Sequence, residues 1–132
     1  ATEQLFAVTL PAGGPYDLVA STNNAGTDAM VDTVVYVRAR CEDAASETVC
    51  DDDYDGAPDG DVRSVAVAEG LAGGASVTVV VDGYDPFMAS TPVQLDLTLR
   101  AVLATGAACD PMGVQNRCMT GPCPATGAAV CP

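Results

Sequence analysis

The chain has 132 residues, 48% of them apolar, and a formal net charge of −13, so it is one domain's worth of sequence with enough hydrophobic mass to fold despite its acidity. Eighteen acids face five arginines with no lysine or histidine, which makes phosphate backbones and anionic lipid poor partners and favours cations and cationic surfaces. The same absences remove Ser-His-Asp, Cys-His and Ser-Lys catalysis, together with zinc sites of the Cys-His type. Outside the loop described below, the acidity reads equally well as an aid to solubility.

The first predicted strand holds Phe6, Val8 and Leu10 at period two and is ended by P-A-G-G at 11 to 14. Tyr16, Leu18 and Ala20 repeat the pattern before N-N-A-G at 23 to 26. Thr33, Val35, Val37, Ala39 and Cys41 form an inward set, with Tyr36, Arg38 and Arg40 facing out. Val65 and Val67 mark a short strand, and Val77, Val79 and Val81 another before the turn at Asp82 and Gly83. The clearest run spans 93 to 102, with Val93, Leu95, Leu97, Leu99 and Ala101 on one face and Gln94, Asp96, Thr98 and Arg100 on the other. No window carries a helical stripe. Short alternating strands joined by Gly, Pro, Asn and Asp predict an all-β fold over residues 1–102, an antiparallel β-sandwich of jelly-roll-like type. Periodicity does not give the strand order.

Residues 103–132 differ: they hold Cys109, Cys118, Cys123 and Cys131 and few large apolar side chains, so crosslinks must order them. They form a small disulfide-rich C-terminal extension. An internal echo, A-T-G-A-A-C-D-P at 104 to 111 and A-T-G-A-A-V-C-P at 125 to 132, has two readings. Cys131 closes this module or opens a second copy; the even cysteine count favours closure. Six cysteines without histidine favour disulfides in an oxidising compartment over an all-cysteine zinc site. One expected pair is Cys41 with Cys50, across an eight-residue polar connection; the four tail cysteines allow three pairings, of which the alternating one, Cys109 with Cys123 and Cys118 with Cys131, is chosen. The chain therefore reads as secreted or at the cell surface. No apolar run approaches the roughly 18 residues of a membrane span. No signal peptide is visible, which suits a mature form or a piece of something longer.

The strongest chemical signal is C-D-D-D-Y-D-G-A-P-D-G-D at 50 to 61, with six aspartates. Two carboxylates about 4 Å apart repel by about 4 kcal/mol at an effective dielectric near 20, so holding several together favours a bound cation. Asp51, Asp53, Asp55 and Gly56 spell D-x-D-x-D-G, the first half of a calcium loop, in which alternate aspartates turn oxygens inward and glycine permits the turn. An EF-hand is excluded, since its twelfth position is Val62, Pro58 interrupts the second half and no helices flank it. The remaining ligands are sought among Asp32, Asp52, Asp59 and Asp61, and the ion is expected to be structural. The competing reading is a solvated acidic loop. Paired carboxylates could in principle hydrolyse glycosides, but these acids lie on a surface loop rather than in a cleft, so no catalytic residue is expected.

The chain also resembles the bacterial pre-peptidase C-terminal domain over roughly residues 3 to 100. The likeness rests on D-T-V-V-Y-V at 32 to 37, the pair Cys41 and Cys50, the D-D-D at 51 to 53, and A-E-G-L-A-G-G-A-S-V-T-V-V-V-D-G-Y at 68 to 84. It departs from that family after Gly74, where Ala75 and Ser76 replace a usual aromatic residue. The tail is similar to short cysteine-rich modules of secreted bacterial surface proteins. The resemblance implies a non-catalytic accessory domain of an extracellular enzyme or surface protein, its partner being the rest of a larger polypeptide. Related modules in secreted collagenases bind calcium and help engage substrate. An adhesion or spacer unit of a surface array is the alternative, as is an independent carbohydrate- or protein-binding module, although six aromatic residues make a poor stacking platform for sugars.

Overall fold

The structure, a computed structural model, describes residues 3–56, 58–84 and 91–132. Among them lie β1 (Gln4–Thr9), β2 (Tyr16–Ser21), β3 (Thr33–Arg38), β4 (Glu47–Asp52), β5 (Val65–Leu71), β6 (Ser76–Gly83), β7 (Asp96–Leu103) and β8 (Asn116–Cys118). One 3-10 turn, Ala44–Ser46, is the only helical element among the described residues. The fold is a β-sandwich of two four-stranded sheets, ordered β1-β6-β3-β4 and β5-β2-β7-β8. The ladders of the first sheet are antiparallel, whereas β7 and β8 pair in parallel.

The chain forms two compact units. The first comprises Ala1–Thr9, Val19–Ala68 and Ser76–Thr98. Its core is the inner pair of strands: Val35, Val37, Val79 and Val80 are fully buried, and Val77 and Val81 nearly so. The expected inward set of β6 is thus found, and that of β3 holds for Thr33, Val35 and Val37, but Ala39 and Cys41 are exposed because β3 ends at Arg38, and burial is two-sided. Tyr36 is 7% exposed rather than facing out, with the Arg38 guanidinium 4.5 Å from its ring centroid and its hydroxyl donating to Glu3 at 2.6 Å. Burial, with the Glu3 carboxylate beside it, pushes the Tyr36 phenol up to about 12. On β5 the face is inverted. Ala66 and Ala68 are buried while Val65 and Val67 are half-buried, and hydropathy, which ranks valine above alanine, points to the wrong side.

The expected bond between Cys41 and Cys50 does not form; both are free and exposed. The register explains it. Cys50 lies opposite Tyr36 and Val49 opposite Val37, with an irregularity before Arg38 meets Glu47, and the Ala39 N–H reaches the Ser46 carbonyl. Cys41 therefore sits beyond the end of the ladder, at least three residue steps, or about 10 Å, along the hairpin from Cys50. A disulfide needs Cα atoms within about 7 Å. The turn is fixed where it is by an ion pair between Arg40 and Asp43 and by the Ser46 hydroxyl, which donates toward the Arg40 and Asp43 carbonyls and accepts from the Arg40 N–H.

The second unit comprises Leu10–Leu18, Glu69–Ala75 and Leu99–Pro132. Its apolar core is small: Leu10, Leu18, Val102 and the buried Cys109, Cys118 and Cys131. The two disulfides, Cys109 with Cys123 and Cys118 with Cys131, have Cα separations of 5.9 and 5.3 Å and follow the alternating pairing expected. The two halves of the sequence echo pair with each other. Ala108 bridges Val130, the Cys109 N–H donates to Ala129 and the Cys131 N–H to Ala107, both at 2.8 Å, so Cys131 closes the module. The turns around Gly13 and Gly73 touch backbone to backbone, and a Cβ on Gly73 would strike the Gly13 peptide.

Asp17 is the one charged side chain of this unit with no exposure at all. Arg117 donates to it from Nε and Nη2 at 2.5 and 3.0 Å, Arg100 from Nε and Nη2 at 3.1 and 2.8 Å, and the Gly70 N–H at 3.0 Å. Burial alone would raise the Asp17 carboxyl, but these hydrogen bonds outweigh it and hold the group below its ordinary value. Arg100 is drawn inward on β7 as a result. That strand buries Val102, leaves Leu97 41% exposed and Leu99 and Ala101 half-buried, so its burial does not follow the expected alternation.

Candidate metal centre

The acidic stretch is not a loop throughout, for its first residues complete β4, an edge strand that among the described residues pairs only with β3. Asp51 and Asp52 consequently point to opposite sides of the strand. The Asp51 carboxylate accepts the Val65 N–H at 2.6 Å and so fastens the start of β5. Asp52 is directed elsewhere, and at Asp53 the backbone turns left-handed, with φ of 62°. This is the one non-glycine residue with positive φ among the described residues, a conformation aspartate tolerates better than most. The reversal breaks the alternation of the strand and lets two consecutive carboxylates face the same way.

The register brings in a third. Asp52 pairs with Val34, two residues after Asp32, so Asp32 lies at the same end of the ladder. One carboxylate oxygen from each of Asp32, Asp52 and Asp53 lies within 4.8 Å of the others. Burial and the charges of Asp53 and Asp51 push the Asp52 carboxyl above its usual range. Around the group the backbone is fixed: the Tyr84 N–H donates to the Asp32 carbonyl at 3.2 Å, Thr33 to Val62 at 3.2 Å and Tyr54 to Arg63 at 3.0 Å.

Beneath it lies a buried hydroxyl network of Thr22, Thr33 and Ser64, all without exposure. The Ser64 hydroxyl donates to the Thr33 carbonyl, the Thr22 and Thr33 hydroxyls lie 2.7 Å apart, and the Ser64 N–H donates to Thr22 Oγ1 at 3.0 Å. The network joins the residue after Asp32 to the residue after Arg63 and so sets where the acidic segment leaves and rejoins the sheet.

Of the aspartates expected as ligands, the structure brings Asp53 together with Asp32 and Asp52. Asp55 and Asp59 are exposed and stand outside this group. Asp61 is held by Arg63, which donates from Nε at 2.8 Å and from Nη2 at 2.5 Å. Those hydrogen bonds, against a smaller effect of burial, keep the Asp61 carboxyl below its ordinary value. Arg63 also donates from Nη1 to the Asn24 and Thr27 carbonyls at 2.8 and 3.0 Å, closing the segment with a cation from the chain itself. Gly56 serves the Tyr54 ring, which a Cβ there would meet at 2.7 Å, while the left-handed turn falls to Asp53.

Comparison with known families, curated proteins and solved structures finds no match to this chain. The site therefore has to be read from its own chemistry. Three hard, anionic oxygen donors converge at an accessible strand end, a donor set that suits a calcium-sized cation completed by carbonyl oxygens or water. The sulfurs of Cys109, Cys118 and Cys131 also converge, but all three are in disulfides and offer no thiolate. Among the described residues no helix is long and apolar enough to cross a membrane.

Proposed function

We propose that this chain is a calcium-stabilised, non-catalytic accessory module of a secreted or cell-surface protein, assisting the targeting or substrate engagement of the polypeptide that carries it. The observation that carries the reading is the convergence of Asp32, Asp52 and Asp53 within 4.8 Å on a backbone fixed from beneath. Like charges held that close cost folding energy that a divalent ion would return. Asp32, Asp52 and Asp53 would hold the ion. Asp51 and Asp61 act outside the coordination sphere, one fastening β5 and the other occupying Arg63. The two disulfides support an oxidising compartment, and the likeness to the pre-peptidase C-terminal domain supports an accessory role. The ion's part is structural: it neutralises the strand end, and no histidine or lysine stands ready to activate a nucleophile.

Terbium luminescence tests the site directly. The chain has no tryptophan, and Tyr54 and Tyr84 neighbour the carboxylates in the chain and through the Asp32 carbonyl, so terbium bound there is excited through tyrosine. Emission should appear with wild type, be displaced by calcium and be lost with Asp53→Asn. Calcium a hundredfold above its dissociation constant should stabilise the folded chain by about 2.7 kcal/mol. Absence of tyrosine-sensitised emission, with a melting temperature indifferent to calcium and to chelator, would make the segment a solvated acidic turn.

A further inference from the structure

We propose that the C-terminal cysteine-rich segment is a pre-stapled strap over the edge of β7, held by the short β8 pairing and by the Asp17, Arg100 and Arg117 triad, and that it opens locally while the inner strands stay folded. Both disulfides lie within residues 109–131, so they hold the segment's own shape and tie it to nothing else. Its attachment to β7 is non-covalent and short. The strand β8 has three residues; the Ala101 N–H donates to Gln115 at 3.2 Å and the Met119 N–H to Leu103 at 2.8 Å. What makes this attachment specific is Arg117, in the middle of β8, whose guanidinium reaches Asp17 on β2. Arg100 on β7 shares that carboxylate and passes its remaining Nη1 to the Gly113 carbonyl at 3.3 Å, a second hold on the strap.

The groups facing Asp17 are Arg100 from β7, Arg117 from β8 and the Gly70 N–H from β5, with Glu69 near enough to Arg117 to favour its charge. Charge-assisted hydrogen bonds of this kind are about twice as strong as neutral ones, and a buried carboxylate that loses its partners is costly. Fastening therefore depends on one ionised aspartate. Because β8 is the neighbour of β7 on that side among the described residues, its release uncovers the backbone edge at Ala101–Leu103, a surface that takes an added strand.

Hydrogen exchange on the full, oxidised chain tests this, comparing wild type with Arg117→Gln and Asp17→Asn. Arg117→Gln leaves the buried carboxylate paired with Arg100 and the Gly70 N–H, so it keeps the fold if Asp17→Asn does not. Protection of the Ala101 and Met119 amides should fall about tenfold or more, the scale of one lost charge-assisted hydrogen bond, while the Val35 and Val79 amides hold theirs. In wild type, acid below the ordinary aspartate range should release the same two amides first. Equal loss at all four amides would overturn the strap by showing one cooperative unit. Unchanged protection at Ala101 and Met119 would overturn the role of the triad.

Discussion

Replacing Thr22 by valine and, separately, Thr33 by valine should give sharply unequal costs, although both are fully buried threonines joined by one hydrogen bond. The protons have two consistent placements, since the Thr33 hydroxyl can donate to Thr22 Oγ1 or to Ser64 Oγ at 3.3 Å, and in both Thr22 Oγ1 accepts the Ser64 N–H; the first runs as a chain. The Ser64 hydroxyl donates to the Thr33 carbonyl, the Thr33 hydroxyl to Thr22 Oγ1, and the Thr22 hydroxyl to the Ser64 carbonyl at 3.3 Å. Thr22 Oγ1 also accepts the Ser64 N–H at 3.0 Å. Thr33→Val then removes one hydroxyl whose neighbours keep other partners, for a net loss of about 1 kcal/mol. Thr22→Val strands a buried backbone N–H as well, adding about 1–3 kcal/mol for a total of about 2–4 kcal/mol. Valine fills the same volume in either case, so packing does not confuse the comparison. Urea unfolding followed by circular dichroism measures both, with the midpoints compared at constant slope. A Thr33→Val variant as destabilised as Thr22→Val would show that this assignment of donors and acceptors is wrong.

Asp17 and Asp52 should respond to pH with opposite signs. The folded carboxyl of Asp17 is held below its ordinary 3.8, so its stabilisation is present above that pH and lost as pH falls through the lower folded value; Asp17→Asn should flatten this acid limb in unfolding titrations. The Asp52 carboxyl is raised, so the folded state is favoured by proton uptake and loses that advantage as pH rises through the folded value. Asp52→Asn should therefore raise the melting temperature slightly at neutral pH in chelator and weaken the response to calcium; a lower melting temperature in chelator would contradict the repulsion argument. Gly73→Ala, with a Cβ driven into the Gly13 peptide, should destabilise by about 1–3 kcal/mol or more, seen as a lowered urea midpoint. Peptide mapping without reduction should recover the pairs of Cys109 with Cys123 and Cys118 with Cys131, with two titratable thiols per chain; finding none would mean that the hairpin of β3 and β4 has another register.

Strands whose apolar period is set by large side chains were legible from the chain alone, as with Val35 and Val37 or Val77, Val79 and Val81. Where other forces choose the face, the pattern misleads. On β5 methyl groups are buried in preference to valines, and on β7 a guanidinium is drawn inward by a carboxylate 83 residues away in sequence. The calcium-loop spacing pointed to alternate aspartates, whereas the carboxylates that converge are Asp32, Asp52 and Asp53, because a loop was assumed where β4 continues. Strand geometry sends Asp51 to Val65, the left-handed Asp53 turns Asp52 and Asp53 to one side, and only the pairing of Val34 with Asp52 brings Asp32 close. The Asp17 cluster gave no signal of its own, since its members are scattered over residues 17 to 117. Four tail cysteines allow three pairings, and the alternating one expected is the one found, although nothing in their spacing chooses it; the pair at Cys41 and Cys50 was misjudged because loop length says nothing of register.

The open flank of β4 has a consequence where many copies stand close together. An unpaired strand edge is the place at which two folded proteins anneal into a shared sheet and begin to aggregate. Among the described residues that edge bears Glu47, Asp51 and Asp52, with Asp53 following, so a second copy approaching it meets its own charges, most strongly while no ion neutralises Asp52 and Asp53. Repulsion of this sort is screened within about 10 Å at 0.1 M salt, just short enough to act between edges about to touch and too short to hold neighbours apart at a distance. The acidic run thus opposes annealing of this edge with the same edge of a second copy.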